Sequence, residues 1–254
     1  MFQGVLRKLD GLGRYFAFLG ELLKSLPRRP FRFPRYILEM EHLGVNSVLI
    51  ILLSGGAIGM IFALQMVVLL QPFQAEIGTG AAVAVALSRE MAPVITTLML
   101  IAKNGSAMAA ELGTMKVTEQ IDALESMSIN VVQYLVLPKV AASILVFPVL
   151  TLLANVIGAF GSYFISVYLY AIDSASYLDY MFNFLSPRDV FAGLIKAAVM
   201  GFLTTTICCF HGLNTDQGAK GVGNSATNAV VSASVSILIA DYILATMLLR
   251  IIYA

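Results

Sequence analysis

Apolar residues run along this chain in long blocks, with charges confined to a few places. No Asp, Glu, Lys or Arg occurs from His42 to Ala75, Val140 to Ile172, Ala197 to Thr215 or Gly221 to Ala240, windows of 34, 33, 19 and 20 residues. About 20 apolar residues rising 1.5 Å each cross a hydrocarbon core about 30 Å thick, and a helix satisfies its own backbone hydrogen bonds in lipid. Each window can therefore hold a spanning helix. A further span, about 78–102, is interrupted only by Arg89 and Glu90, with 12 charge-free residues on either side. The pattern predicts an all-α polytopic membrane protein with five spans at about 45–70, 78–102, 138–170, 187–211 and 225–252. The window 140–172 reads as one long tilted helix projecting beyond the bilayer, with a pair of spans as the alternative.

Before the first span the periodicity changes. Phe2, Val5, Leu9, Leu12, Phe16, Leu19 and Leu23 step by three and four, as do the polar Gln3, Arg7, Asp10, Arg14, Glu21 and Lys24. That predicts an amphipathic helix too charged to insert, lying flat on the membrane surface. Pro27, Pro30 and Pro34 should end it, and Arg28, Arg29, Arg32 and Arg35 should sit at anionic headgroups. The chain thus divides into an interfacial helix and basic linker, 1–36, and a transmembrane domain, 37–254.

The polar stretch from Lys103 to Lys139 is a candidate cytoplasmic element, with its helical region at 104–128. On a helical wheel Val117, Ile121 and Leu124 share one face while Glu119, Asp122 and Glu125 share another, so the stretch should offer an apolar and an acidic stripe to a soluble partner. Gly113 is expected to separate this helix from the preceding segment. Beyond the third span, Asp173, Asp179 and Asp189 are expected in an outer segment. Small residues at four-residue spacing, Gly55 with Gly59 and Gly193 with Ala197 and Gly201, mark helix-packing stripes. Residues 214–224 read as a Gly-rich cytoplasmic turn.

Composition agrees: 59% of residues are hydrophobic and only 12% charged, about half the charge of an ordinary soluble domain. The net charge of +1 gives no reason to expect nucleic acid. Eight of the 16 Lys and Arg precede residue 36, while 71–78 has none, so the N-terminus is expected in the cytoplasm and the C-terminus in the periplasm. No continuous apolar h-region or transit-peptide composition precedes Arg35, which favours a bacterial plasma membrane.

Candidate chemistry is sparse. Cys208 and Cys209 are adjacent in an apolar run, excluding a disulfide framework, and with His42 and His211 they lack zinc-finger spacing, so no metal site is expected. No phosphate-binding loop, activated nucleophile or internal repeat is visible, and no cofactor or catalytic residue is assigned. Charges inside spans are expensive and point to function. Glu90 would lie about 16 Å into the bilayer, on the wall of a lipid cavity with Arg89, Met91, Leu64 and Leu70; a mutually neutralising Arg89–Glu90 pair is the alternative. Lys196 and Asp241 fall at similar depths on adjacent antiparallel spans and should form an intramembrane ion pair.

Arg89 begins REMAPV, and Gly105 begins GSAMAAELGTMKVTEQIDALE; with GAKGVGNSATNAVVSASVSILIADYIL at 218–244, these strings resemble the MlaE (YrbE-type) permease family of bacterial ABC lipid transporters. The resemblance covers roughly 45–250. It departs from the family where Ala102 and Lys103 stand in place of Gly and Arg. The resemblance implies a permease that pairs with a second copy of itself, a cytoplasmic ABC ATPase subunit, a periplasmic MCE-domain protein and often a STAS-domain subunit. It implies phospholipid or a related lipid as cargo, moved between the inner membrane and the outer membrane or cell envelope, and so maintenance of lipid asymmetry. The helix around 104–128 becomes the coupling helix, with Glu111, Lys116, Val117, Glu119, Ile121, Asp122 and Leu124 facing the ATPase. The competing readings are an ion-coupled secondary transporter using Arg89, Glu90, Lys196 and Asp241, and an intramembrane enzyme.

Overall fold

A helix that must cross lipid buries its backbone polarity in itself, so what remains to be settled is how its side chains meet the neighbouring helices. A computed structural model describes the backbone of residues 2–25 and 33–253 and the side chains of 11–25 and 33–250. Pro27, Pro30, Arg28, Arg29 and Arg32 lie outside the described residues. Described elements are helical: α1 (Phe2–Ser25), α2 (Phe33–Gly44), α3 (Val48–Leu70), α4 (Thr79–Ala86), α5 (Ala92–Leu100), α6 (Ser106–Val117), α7 (Gln120–Ser126), α8 (Leu137–Phe164), α9 (Ser174–Phe184), α10 (Pro187–Leu213) and α11 (Ala219–Tyr253). Among the described residues, five helical stretches are long and apolar enough to cross a membrane: Phe33–Phe73, Glu76–Val117, Val132–Leu169, Pro187–Leu213 and Ala219–Arg250.

Several of these run further than the apolar windows. The second continues beyond Lys103 as far as Val117, because helical hydrogen bonding does not stop where lipid does. The third is one helix through Pro148, not two spans. Neighbouring helices in a membrane can re-satisfy the carbonyl that a proline frees.

The chain forms two compact units. One contains the described residues of Met1–Leu43, Ile101–Ser143 and Gly201–Ser236; the other contains those of Gly44–Leu100, Ile144–Met200 and Ile237–Ala254.

In the first unit, α1 has two apolar sides. Phe18 and Leu22 are buried with Leu112, Ile121, Val132 and Leu135, whereas Leu12, Phe16 and Leu23 are exposed. Tyr15 closes the contact through a 2.8 Å hydrogen bond with Thr206, and burial pushes its phenol above the ordinary value.

Two expectations for the polar stretch are corrected. Gly113 does not break a helix: α6 runs through it, because a Cβ there would come within 2.7 Å of Thr215 Oγ1, so glycine serves a close contact. The break falls at Glu119, whose φ of 58° is left-handed and ends α6 before α7 begins. The apolar stripe is not offered to a partner either. Ile121 is only 2% exposed and Leu124 packs on the same core as Phe18 and Leu22. What faces outward is polar, including Glu111, Glu119, Asp122 and Glu125, together with Met127.

In the second unit α3 and α8 meet along glycine. A Cβ on Gly59 would come within 2.0 Å of the Gly158 carbonyl oxygen, a separation no real side chain tolerates. The Gly55/Gly59 stripe is therefore used within the chain. Gly193 on α10 is equally constrained, with the Ser88 carbonyl oxygen 2.0 Å from its would-be Cβ, which brings α10 against the segment carrying Arg89 and Glu90. Across the chain end of this unit, α9 is capped by Asp173, whose carboxylate accepts from the Ser176 N–H at 2.8 Å.

Candidate functional site

Between α4 and α5 the helix widens into a single π-turn, Leu87–Met91, closed by the Ala92 N–H donating to the Leu87 carbonyl. Such insertions shift the register of everything after them and recur at functional sites. Arg89 and Glu90 both lie in this turn, and both reach α10. They do not neutralise each other.

Arg89 Nε donates to Asp189 Oδ1 at 2.7 Å. Asp189, expected in an outer segment, is fully buried at the third position of α10. The sequence Ser186–Pro187–Arg188–Asp189 explains how it is held. Asp189 Oδ2 accepts from the Ser186 N–H at 3.1 Å and Ser186 Oγ accepts from the Arg188 N–H at 3.3 Å, a reciprocal cap on the helix start. One carboxylate thus ends a helix and opposes a guanidinium, which offsets much of the cost of burying it.

Seven residues along α10, Lys196 is 1% exposed. Its ammonium donates to Glu90 Oε2 and, at 3.2 Å, to the Arg89 carbonyl, and lies 3.0 Å from Asp241 Oδ1 on α11. The two carboxylates are not held alike. Asp241 Oδ1 has charge contact but no aligned hydrogen bond, so attraction to Lys196 is electrostatic there and directional at Glu90. Counting Arg89, Asp189, Lys196, Glu90 and Asp241 as charged gives two positive and three negative groups, a net charge of −1.

Exposure separates the members further. The Lys196 side chain is 2% exposed, that of Asp241 19% and that of Glu90 45%. An ionised carboxylate almost half open at mid-span needs water, a headgroup or another chain beside it. The cluster is thus anchored on its α10 side and presents Glu90 outward.

The apolar candidates separate from it. Met91 lines a narrow groove with Ser54, Gly55, Ile58 and Ile95. Leu64 is 43% exposed on α3 and Leu70 is half-buried, and neither lines that groove, nor does Glu90.

In the other unit a second buried lysine holds two carboxylates. Lys139 Nζ lies 3.1 Å from Glu39 Oε1 on α2 and 2.8 Å from Glu111 Oε2 on α6, with its side chain 4% exposed. Glu111, assigned to a partner surface, is therefore partly engaged at home. Lys116 and Asp122 bridge α6 and α7 at 2.8 Å, and Val117 is half-buried.

Asp189, Lys139 and Glu39 are the members that sequence reasoning missed. The Ser-Pro-Arg-Asp pattern at 186–189 is a readable helix-start signal and would have placed Asp189 on a helix. For Glu39 there is no such signal, since its partner is 100 residues away.

Residues 36–247 match the family described as Permease MlaE. The chain is 37% identical over 246 residues to a probable ABC transporter permease protein of Rickettsia bellii, covering 97% of this chain and 95% of that one. It is 40% identical over 212 residues to the probable ABC transporter permease protein slr1045 of Synechocystis, covering 84% and 81%. With the intermembrane phospholipid transport system permease protein MlaE of Haemophilus influenzae it shares 38% identity over 234 residues, covering 92% and 90%.

Proposed function

Because the chain belongs to the MlaE permease family, we propose that it is the transmembrane permease subunit of an ABC transporter that moves phospholipid or a related lipid between the inner membrane and the outer membrane or cell envelope, and so maintains lipid asymmetry. The observation that carries this reading is a family match over 212 residues, 36 to 247, with a relative named for intermembrane phospholipid transport aligned along 92% of the chain. ATP is hydrolysed by a separate cytoplasmic subunit. A second copy, a periplasmic MCE-domain protein and a STAS-domain subunit complete the assembly, with the permease N-terminus in the cytoplasm and its C-terminus in the periplasm.

The lipid path runs past the charged cluster. Glu90 faces the cavity between two copies, where its open side contacts a headgroup or keeps the cavity hydrated. Lys196 holds it directly while Arg89 is turned to Asp189, and Met91, Leu64 and Leu70 supply the apolar wall for acyl chains. Coupling to the ATPase uses the outward polar face of α6 and α7, Glu111, Lys116, Glu119 and Asp122, while Ile121 and Leu124 fix those helices on the core beneath.

The test is reconstitution. The permease with its co-purified ATPase, in proteoliposomes containing fluorescent phospholipid, should transfer lipid to acceptor vesicles or the periplasmic partner only when ATP is supplied. Transfer driven by a proton gradient without ATP would overturn the reading in favour of a secondary transporter. Conversion of the lipid into a new species would favour an enzyme.

A further inference from the structure

Behind the turn that joins α6 to α7 lies a half-open cavity of about 380 Å³, formed jointly with α1. Phe18, Ile121, Val132 and Leu213 form a small apolar patch at its base, while polar groups supply more of its exposed surface. Its rim is acidic. Glu21 from α1 and Glu125 from α7 are both exposed at the opening.

Among the described residues lining it the cation is Lys116, and that charge is already engaged by Asp122 at 2.8 Å. Asn130, also on the rim, donates to Glu21 Oε1 at 3.3 Å, which orients one carboxylate and adds no charge. With Asp122 counted beside Lys116, these described residues carry three negative charges against one positive. A recess with a small apolar patch and, among the described residues, a net negative rim suits a long basic side chain, whose charge sits at the rim and whose stem crosses the patch. An anionic lipid headgroup meets the wrong sign.

We propose that this cavity receives a lysine or arginine side chain of the cytoplasmic ATPase subunit, so that α1 and α7 together, and not the coupling segment alone, form the docking surface. The inference rests on the permease reading above and adds the partner's chemistry to it. It also gives α1 a task beyond anchoring. Its outward apolar residues, Leu12, Phe16 and Leu23, remain available to lipid while Phe18 and Glu21 line the cavity. The ATPase would then touch the element that rests on the membrane.

The experiment uses the full-length permease purified from native membranes with its bound ATPase. Glu21→Lys with Glu125→Lys reverses the rim at two exposed positions, and Asp179→Lys on α9 changes exposed charge elsewhere. The rim variant should lose ATPase at least about tenfold, as expected for opposed charge pairs at a docking site, while the Asp179 variant retains it. ATPase bound to the unaltered permease should also fall away as salt is raised from about 0.1 M to about 0.5 M. In hydrogen exchange, segments 16–22 and 121–132 should both gain protection when the ATPase is bound, relative to the stripped permease.

Retention by the rim variant, or protection of 121–132 without 16–22, overturns the cavity proposal and leaves the permease reading standing. Equal protection of both segments with and without the ATPase overturns it in favour of a second copy or lipid as occupant. Absence of any ATPase from the unaltered preparation overturns both.

Discussion

Arg89 and Asp189 meet at 2.7 Å although 100 residues separate them, and the same carboxylate that opposes the guanidinium also caps the helix it stands on. Two structural duties therefore fall on one residue.

Asp189→Asn keeps an oxygen for the cap and removes the charge facing Arg89. The Arg89 side chain left behind is 33% exposed, so the loss should be smaller than the cost of about 3–5 kcal/mol for stranding a fully buried charge, and the detergent-solubilised permease should unfold at a lower temperature. Adding Arg89→Met should recover part of the loss, because the charge that Asp189 opposed is then removed as well. Thermal unfolding of the two variants checks this, and a double variant no better than the single would break the argument.

Glycine contacts make a second prediction. Gly59→Ala would drive a methyl group against the Gly158 carbonyl, backbone against backbone, where no rotamer can relieve it. Overpacking of this kind costs about 1–3 kcal/mol or more. Gly13→Ala, on α1 with nothing within 4 Å of the added carbon, should be neutral or slightly stabilising through helix propensity. The unfolding temperature of Gly59→Ala should fall below the parent's, and that of Gly13→Ala should stay level or rise.

The corrected role of Ile121 is equally testable. At 2% exposure it is a core residue, so Ile121→Ala should cost about 2–5 kcal/mol and reduce the amount of folded permease in the membrane. A purely docking residue would leave folding intact and lose only its partner. Size-exclusion profiles and unfolding of the purified permease without ATPase distinguish the two.

A pH dependence belongs to α9. Backbone and side-chain hydrogen bonds from Ser176 hold the Asp173 carboxyl below the ordinary carboxylate range. A depressed folded value means the contribution is present above the unfolded value and is lost as pH falls through the folded one. The hydrogen-exchange protection factors of 174–184, corrected for the intrinsic pH dependence of amide exchange, should fall at acid pH, and Asp173→Asn, which still caps, should blunt that fall.

What could be read from the sequence, and what could not, follows from the range of each interaction. Arg89, Glu90 and Lys196 stood out because a charge within an apolar run has no local explanation. The five spans were equally local, being set by apolar length. Partners were harder: Glu90 and Asp241 both converge on Lys196, and only packing decides which is better aligned. Gly113 misled because a glycine within a helix reads as a breaker when nothing in the sequence announces Thr215 beside it. The real break, at Glu119, uses a residue with little liking for a left-handed backbone, so its type gave no warning. The inward apolar stripe of α7 misled for a related reason, since periodicity identifies a face without saying whether the chain itself covers it.

The unequal hold on Lys196 yields the sharpest prediction. Glu90 accepts a directed hydrogen bond from the ammonium, whereas Asp241 Oδ1 lies 3.0 Å away without an aligned donor. Double-mutant cycles should therefore couple Lys196 to Glu90 more strongly than to Asp241, both within the range of about 0.5–3 kcal/mol found for contacting charges. Single changes at Lys196 should be the most damaging of the three, because Lys196→Ala leaves two carboxylates facing each other without their cation. Lys196→Asp with Asp241→Lys keeps one cation between the helices but moves it to α11, away from the Arg89 carbonyl, so rescue should be partial. ATP-driven phospholipid transfer by each variant in proteoliposomes, measured beside its unfolding temperature, separates stability from transport. If both cycles gave strictly additive losses, the three residues would be acting independently, and the cluster would have no role as a unit in the lipid path.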